Sequence, residues 1–326
     1  MNYIVEKKRL DWIDALRALA IFLVILGHCA PNCYTYFLFT SPLKMPLFFV
    51  ITGFVFNPIN VNSAFYKKIL VKIIFPWLIL GLLPIAALVP IKGIGYLWHY
   101  ALRMLSGESL WFMPCLFFAE IIWFYIRKFF SSTIIIIGVS LTATTFGLVM
   151  AHYNILDYGM INRAFVVQSF LAMGYVFKSN IKLVTQCKAH YLIILMLVYF
   201  CLIVFSYFMF PGQSIDVHNN SYYNIIICFA LIAISCCMAF IIANRLKNIP
   251  RFISFLGQNT LLLYIWSPYV ILSCHKMESM AGIENVSSFP VAIITSIITC
   301  AICCVVSIAV NRYVPFIVGK KYVKQN

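Results

Sequence analysis

Long apolar runs broken by short polar clusters repeat along the whole chain, at roughly 12 to 30, 43 to 57, 69 to 90, 109 to 126, 132 to 150, 160 to 177, 190 to 210, 222 to 243, 252 to 273 and 289 to 310. Runs of this length predict helices that cross a bilayer rather than strands or soluble amphipathic helices. The pattern therefore predicts an all-α, polytopic membrane helical bundle of about ten transmembrane helices. Between the third and fourth runs, GYLWHYALRML at 95 to 105 places Trp98, His99 and Arg103 among apolar residues at helical spacing, the signature of an interfacial helix. No linker or internal repeat divides residues 1–326, which read as a single membrane domain.

Composition agrees with this reading. Of the 326 residues, 63% are hydrophobic and 10% charged, too few polar side chains to cover a soluble surface. The net charge of +15 would suit nucleic acid if the basic residues formed one patch, but they alternate between connections, so no nucleic-acid partner is expected. Alternate connections, including those with Lys7, Lys8 and Arg9, with Lys67, Lys68 and Lys72, and with Lys320, Lys321 and Lys324, hold most of the cations. The intervening ones hold only Lys44, Lys92, Arg103, Arg163 and Lys276. The positive-inside rule then puts both termini in the cytosol. The first run holds Arg17 and ends without a small-residue cleavage site, so it reads as a span and not a removable signal. The twelve cysteines fall mostly inside spans and read as apolar filling.

Against this background a few polar residues stand out. Arg17 and His28 lie eleven residues apart in WIDALRALAIFLVILGHCAP. At 100° per residue that separation is about 20° past three turns, so both side chains share a helix face about 16 Å apart. A guanidinium in a span costs at least ~2.5 kcal/mol and is expected to face protein or water, which makes the first helix a candidate cavity wall. Asp14, three residues before Arg17, can pair with it along the helix. Glu120 lies well inside the fourth run and needs a partner or a polar cavity; an ion pair with Arg17 is one reading. His28 is the candidate general base, because a neutral imidazole can take a proton from an attacking hydroxyl or carry an acyl group. The other histidines show no HxxH or HExxH spacing, so no metal site is expected. Lys67, Lys68 and Lys72 lead into IIFPWLI and suit either anionic headgroups or a polyphosphate-bearing ligand such as coenzyme A.

Five stretches in this order resemble the acyltransferase-3 family of integral membrane acyltransferases, in particular its sugar O-acetylase-like branch. They are IDALRALAIFLVILGH at 13 to 28, MPLFFVITGFVF at 45 to 56, FYKKILVKIIFPWLI at 65 to 79, SLWFMPCLFFAEI at 109 to 121 and GQNTLLLYIWSPYV at 257 to 270. The resemblance implies that Arg17 and His28 are the essential first-helix pair, that Lys68 and Lys72 serve the acyl donor, and that Trp111 and Glu120 belong to the fourth-span motif. It also marks a departure, since Ser267 stands where related sequences often carry a histidine. The implied activity is transfer of an acetyl or other acyl group from acyl-CoA, a donor substrate and not a resident cofactor, to a hydroxyl of a glycan or lipid-linked sugar. The implied setting is the bacterial cytoplasmic membrane, among membrane lipid, with an oligomer allowed. A transporter of polysaccharide or lipid-linked intermediates is the rival reading, in which intramembrane Arg, His and Glu form a polar path.

Overall fold

The computed structural model describes residues 10–57, 62–86, 89–282 and 288–319; the terminal lysine clusters used in the charge count lie outside them. Helices occupy all ten apolar segments. Among the described residues seven helices are long and apolar enough to cross a membrane, or eight if the bent pair Tyr158–Val166 and Gln168–Ser179 counts as one span, so by length and composition this count falls short of the expected ten. Charge accounts for part of the difference: the helix at Phe112–Phe129 contains Glu120, Arg127 and Lys128.

The chain opens with α1 (Asp11–Cys29), and the second apolar run is longer than its sequence suggests: α2 (Tyr34–Lys44) and α3 (Pro46–Val55) together make one apolar stretch broken at Met45. Pro46 fills the first position of α3, where no backbone N–H is needed. Next come α4 (Asn62–Ile69), a π-helical turn at Leu70–Ile74, α5 (Phe75–Ala86), α6 (Val89–Lys92) and α7 (Ile94–Ser106). The last covers the segment read as interfacial, and it is helical, with Ile94 and Trp98 exposed and Gly107 ending it in the left-handed region at φ 89°. Then follow α8 (Phe112–Phe129), α9 (Thr133–His152), α10 (Ile161–Val166), α11 (Gln168–Ser179), α12 (Ile181–Thr185) and α13 (Ala189–Met209). The last four are α14 (Ile225–Arg245), α15 (Arg251–Gln258), α16 (Thr260–Met280) and α17 (Phe289–Tyr313).

Burial separates the middle of the bundle from its lipid-facing rim. α1 is 61% buried and packs against α2, α3, α14, α15, α16 and α17, whereas α13 is only 11% buried. A helix that is apolar all round and so little covered is suited to face lipid. Inside the bundle, association depends on close approach rather than on hydrophobic transfer. α3 and α11 meet through Gly53 and Gly174: a Cβ on Gly53 would lie 2.0 Å from the Leu171 carbonyl oxygen, and one on Gly174 would lie 1.9 Å from that of Val50. Gly257 brings α15 equally close to α1, where a Cβ would come 1.9 Å from the Asp14 carbonyl oxygen. The cysteines are free thiols, mostly buried or half-buried among these helices.

Candidate active site

His28, near the end of α1, lines a cavity of about 400 Å³. α1 contributes Val24, Gly27 and His28 to its wall, α2 contributes Phe37, Ser41 and Lys44, and the segment 214–218 closes it with Asp216 and His218. Trp111 and Tyr264 complete the polar and aromatic lining.

Lys44 was expected in a connection, yet it forms the last turn of α2 and its ammonium reaches into this cavity. Its Nζ sits 4.0 Å from the centre of the Phe37 ring and only 3.3 Å from where a Cβ on Gly27 would be, so glycine at 27 gives the ammonium room beside α1. Lys44 is the charge acting on His28, and Asp216 is the charge acting on Lys44.

The lid over this cavity is built residue by residue. Asp216 and Ser221 exchange both backbone hydrogen bonds, at 3.0 and 2.9 Å, which closes a tight turn. The Asp216 carboxylate accepts from the His218 and Asn219 backbone N–H groups at 2.9 and 3.3 Å, as an Asx turn does. Arg163 of α10 then donates its Nε to the His218 carbonyl at 2.7 Å, while Asp157 and Asn162 hold the rest of the guanidinium. So anchored, the His218 ring stacks on Trp111 with centroids 5.1 Å apart and planes 18° from parallel. Burial holds the His218 imidazole below its ordinary pKa; Asp216 pulls it upward and Arg163 adds to the lowering. Trp111 in turn follows Leu110, which occupies the left-handed region at φ 53°, a conformation disfavoured for a non-glycine residue. The first free N–H of α8, on Phe112, donates to the Tyr264 hydroxyl at 3.2 Å and ties α16 to the same corner.

The remaining sequence candidates lie elsewhere. Arg17 does not line the His28 cavity; its Nη1 donates to Asp14 at 3.1 Å, with Asp14 1% exposed and Arg17 29%. α15 packs against Asp14, and Gln258 donates to its Oδ2 at 3.4 Å. Glu120 feels Lys68 and Lys72, not the guanidinium suggested by sequence. That cluster forms because α4 lies along α8, with Phe65 stacked on Phe124 at 4.1 Å and the Tyr66 and Tyr125 hydroxyls 2.6 Å apart. Lys68 is half-buried, Lys67 is exposed, and Lys72 rides on the π-helical turn, a distortion frequent at functional sites. Ser267 is buried in α16, one turn beyond Tyr264, and is not part of the cavity wall.

The structure thus brings His28 and Trp111 together and gathers Lys68, Lys72 and Glu120 into a second cluster. Lys44, Asp216, His218 and Tyr264 are the cavity residues that sequence reading missed. The only local signal was the DVHNN run in the connection 211 to 224, where an acid and an imidazole stand two residues apart.

An imidazole and an ammonium facing one polar cavity inside a bundle of apolar helices define a multi-pass membrane protein with a site suited to group transfer. The chain belongs to the acyltransferase-3 family, whose profile, described as an acyltransferase domain, matches residues 10–308. It is a membrane acyltransferase, and such an enzyme uses an acyl donor and an acceptor. No curated protein matches the chain, and no solved structure matches it.

Proposed function

We propose that the protein is an O-acetyltransferase of the bacterial cytoplasmic membrane that moves an acetyl group from cytosolic acetyl-CoA to a hydroxyl of a cell-surface glycan or its lipid-linked precursor. The observation that carries this reading is the His28 cavity, where a candidate base, a cation and a hydrogen-bonding wall converge on one space. With both termini cytosolic, Lys68 and Lys72 stand at the inner mouth and His28 near the outer face. Coenzyme A carries phosphates that these lysines suit as point charges.

In the chemical step the His28 imidazole takes the proton of the acceptor hydroxyl as its oxygen attacks the thioester carbonyl. A C–O bond forms, and the carbonyl π electrons move onto oxygen. The Lys44 ammonium faces the negative charge that develops there, the role of a preorganised oxyanion donor. Collapse of the tetrahedral species breaks the C–S bond, and the imidazolium returns its proton to the departing thiolate. On this reading Arg17, about 16 Å along α1 from His28, orients the donor between its phosphates and its thioester.

The test is transfer of labelled acetyl from acetyl-CoA to glycan by the purified full chain in lipid. Removal of a general base costs about 10²- to 10⁴-fold, so His28→Ala is expected to fall at least that far. Transfer by His28→Ala at the wild-type rate would end the proposal.

A further inference from the structure

A groove of about 1020 Å³, larger than the His28 cavity, lies away from the chemistry, with walls from α1, α2, α13, α14 and α15. No residue lines both spaces. The groove is open on the rim of the bundle, because its lining residues Leu19, Leu197 and Ile242 are 41%, 60% and 44% exposed. Its walls are almost wholly apolar, so they suit a hydrocarbon chain and not a polar ligand.

The length of the groove matches one lipid leaflet. On α14 the lining runs from Ser235 to Leu246, eleven residues on or about 16 Å, and half of the ~30 Å hydrocarbon core of a bilayer is about 15 Å. At the Ser235 end both hydroxyls are already used on backbone carbonyls: Ser235 donates to Pro42 at 3.2 Å and Tyr199 to Phe39 at 2.7 Å.

The Leu246 end is cationic. Lys188, Arg245, Lys247 and Arg251, all exposed, stand at the start of α13, the end of α14, just after it and the start of α15. Lys247 falls between the lining residues Leu246 and Asn248, and Arg251 follows the lining Pro250. Arg245 donates to the Cys187 carbonyl, which ties the start of α13 to the end of α14. Among the described residues none of the four is in a salt bridge. Four unneutralised cations at the mouth of an apolar groove one leaflet long match an amphiphile with an anionic head. A second copy of the chain fits less well, since a two-fold partner in the same membrane would bring its own four cations to the same level.

We infer that this groove is a binding site for an anionic glycerophospholipid, with an acyl chain along α14 and the phosphate against Lys247 and Arg251. The positive-inside rule puts that end at the cytosolic face, so the lipid comes from the inner leaflet. The site is independent of the acyl-transfer reading. Its consequence is structural: a lipid that binds only the folded chain stabilises it by mass action, and Phe39 and Leu43 of the groove share α2 with Lys44.

The experiment uses the full chain purified in detergent with phosphatidylglycerol or with phosphatidylcholine of the same acyl chains, and counts retained lipids and subunits by native mass spectrometry. Wild type is expected to keep phosphatidylglycerol, to release phosphatidylcholine and to unfold at a higher temperature with the former. Lys247→Gln combined with Arg251→Gln should retain at least about tenfold less phosphatidylglycerol. Lys128→Gln combined with Arg312→Gln, an equal loss of charge on the same face but outside the groove, should retain it as wild type does. Leu19→Trp combined with Leu197→Trp narrows the groove at two exposed positions while keeping every cation, and should also lose the lipid. Equal retention of the two lipids by wild type, equal loss in the two charge variants, unchanged retention in either groove variant, or a lipid-free dimer overturns the inference.

Discussion

The imidazole of His218 lies flat on the indole of Trp111, 5.1 Å centroid to centroid, and so brings a loop residue and the start of α8 to one wall of the His28 cavity. Such ring pairs contribute about 0.5 to 1.5 kcal/mol beyond area burial. Trp111→Ala is therefore expected to quicken amide exchange across Asp216 to Ser221 by up to about tenfold and to lower transfer. Exchange at the wild-type rate would show that the backbone bonds of the turn hold it without the ring.

Titration of the same histidine gives a signed pH effect. Its folded pKa lies below the ordinary 6.5 because burial disfavours the imidazolium, with Arg163 adding to this and Asp216 opposing it. Between the folded and unfolded values the unfolded chain binds more protons, so the contribution of His218 to stability is complete above pH ~6.5 and is lost as the pH falls below that. Thermal unfolding at about pH 7.5 and about pH 5.5 checks this. Wild type should lose more stability on acidification than His218→Gln, and equal losses would assign the effect to other groups.

Gly27→Ala tests the place of Lys44. The added methyl would stand 3.3 Å from both Lys44 Nζ and Tyr36 Cε1, so the flexible ammonium is the part that yields. Loss of a preorganised oxyanion donor costs about 10²- to 10³-fold in rate. Gly27→Ala should lower the rate constant of transfer by more than it lowers the unfolding midpoint, and Lys44→Met should do the same. Full activity in both would remove Lys44 from the chemistry.

At the α3 and α11 contact the neighbours are backbone carbonyls that have no freedom to swing aside. Gly53→Ala and Gly174→Ala would each place a methyl within about 2 Å of one. Overpacking of this kind costs about 1 to 3 kcal/mol or more. Each variant should unfold earlier in detergent titration, whereas Gly138→Ala, whose Cβ would meet nothing within 4 Å, should not.

The cluster at the other end of the bundle predicts a donor effect. On the proposed function, replacing Lys68 and Lys72 by Ala is expected to raise the KM for acetyl-CoA about tenfold or more while the KM for the glycan stays within about twofold, because that reading sets the lysines against donor phosphates and not against the acceptor. Glu120→Gln removes the carboxylate that balances them, and its donor KM should respond in the opposite sense or remain unchanged. A donor KM unaffected by the double change would place the acyl-CoA elsewhere.

The class of fold, the apolar segments and the family were legible in the sequence, and so was His28 as a candidate, because hydrophobic periodicity and linear motifs are local properties of the chain. The sequence also located Trp111, Lys68, Lys72 and Glu120 as residues of interest, though not their partners. The packing decided that Lys68 and Lys72 are the charges acting on Glu120, that Lys44 and not Arg17 shares the cavity of His28, and that a turn near residue 218 closes it. The 20° offset calculated between Arg17 and His28 fixes only a direction on α1; which space each side chain enters depends on the neighbours packed there. Those neighbours, α15 against Asp14 and α2 with the 214–218 segment around His28, come from distant parts of the chain. Their approach is set by glycine contacts and by Arg163 holding a carbonyl 55 residues away, a relationship that periodicity does not encode.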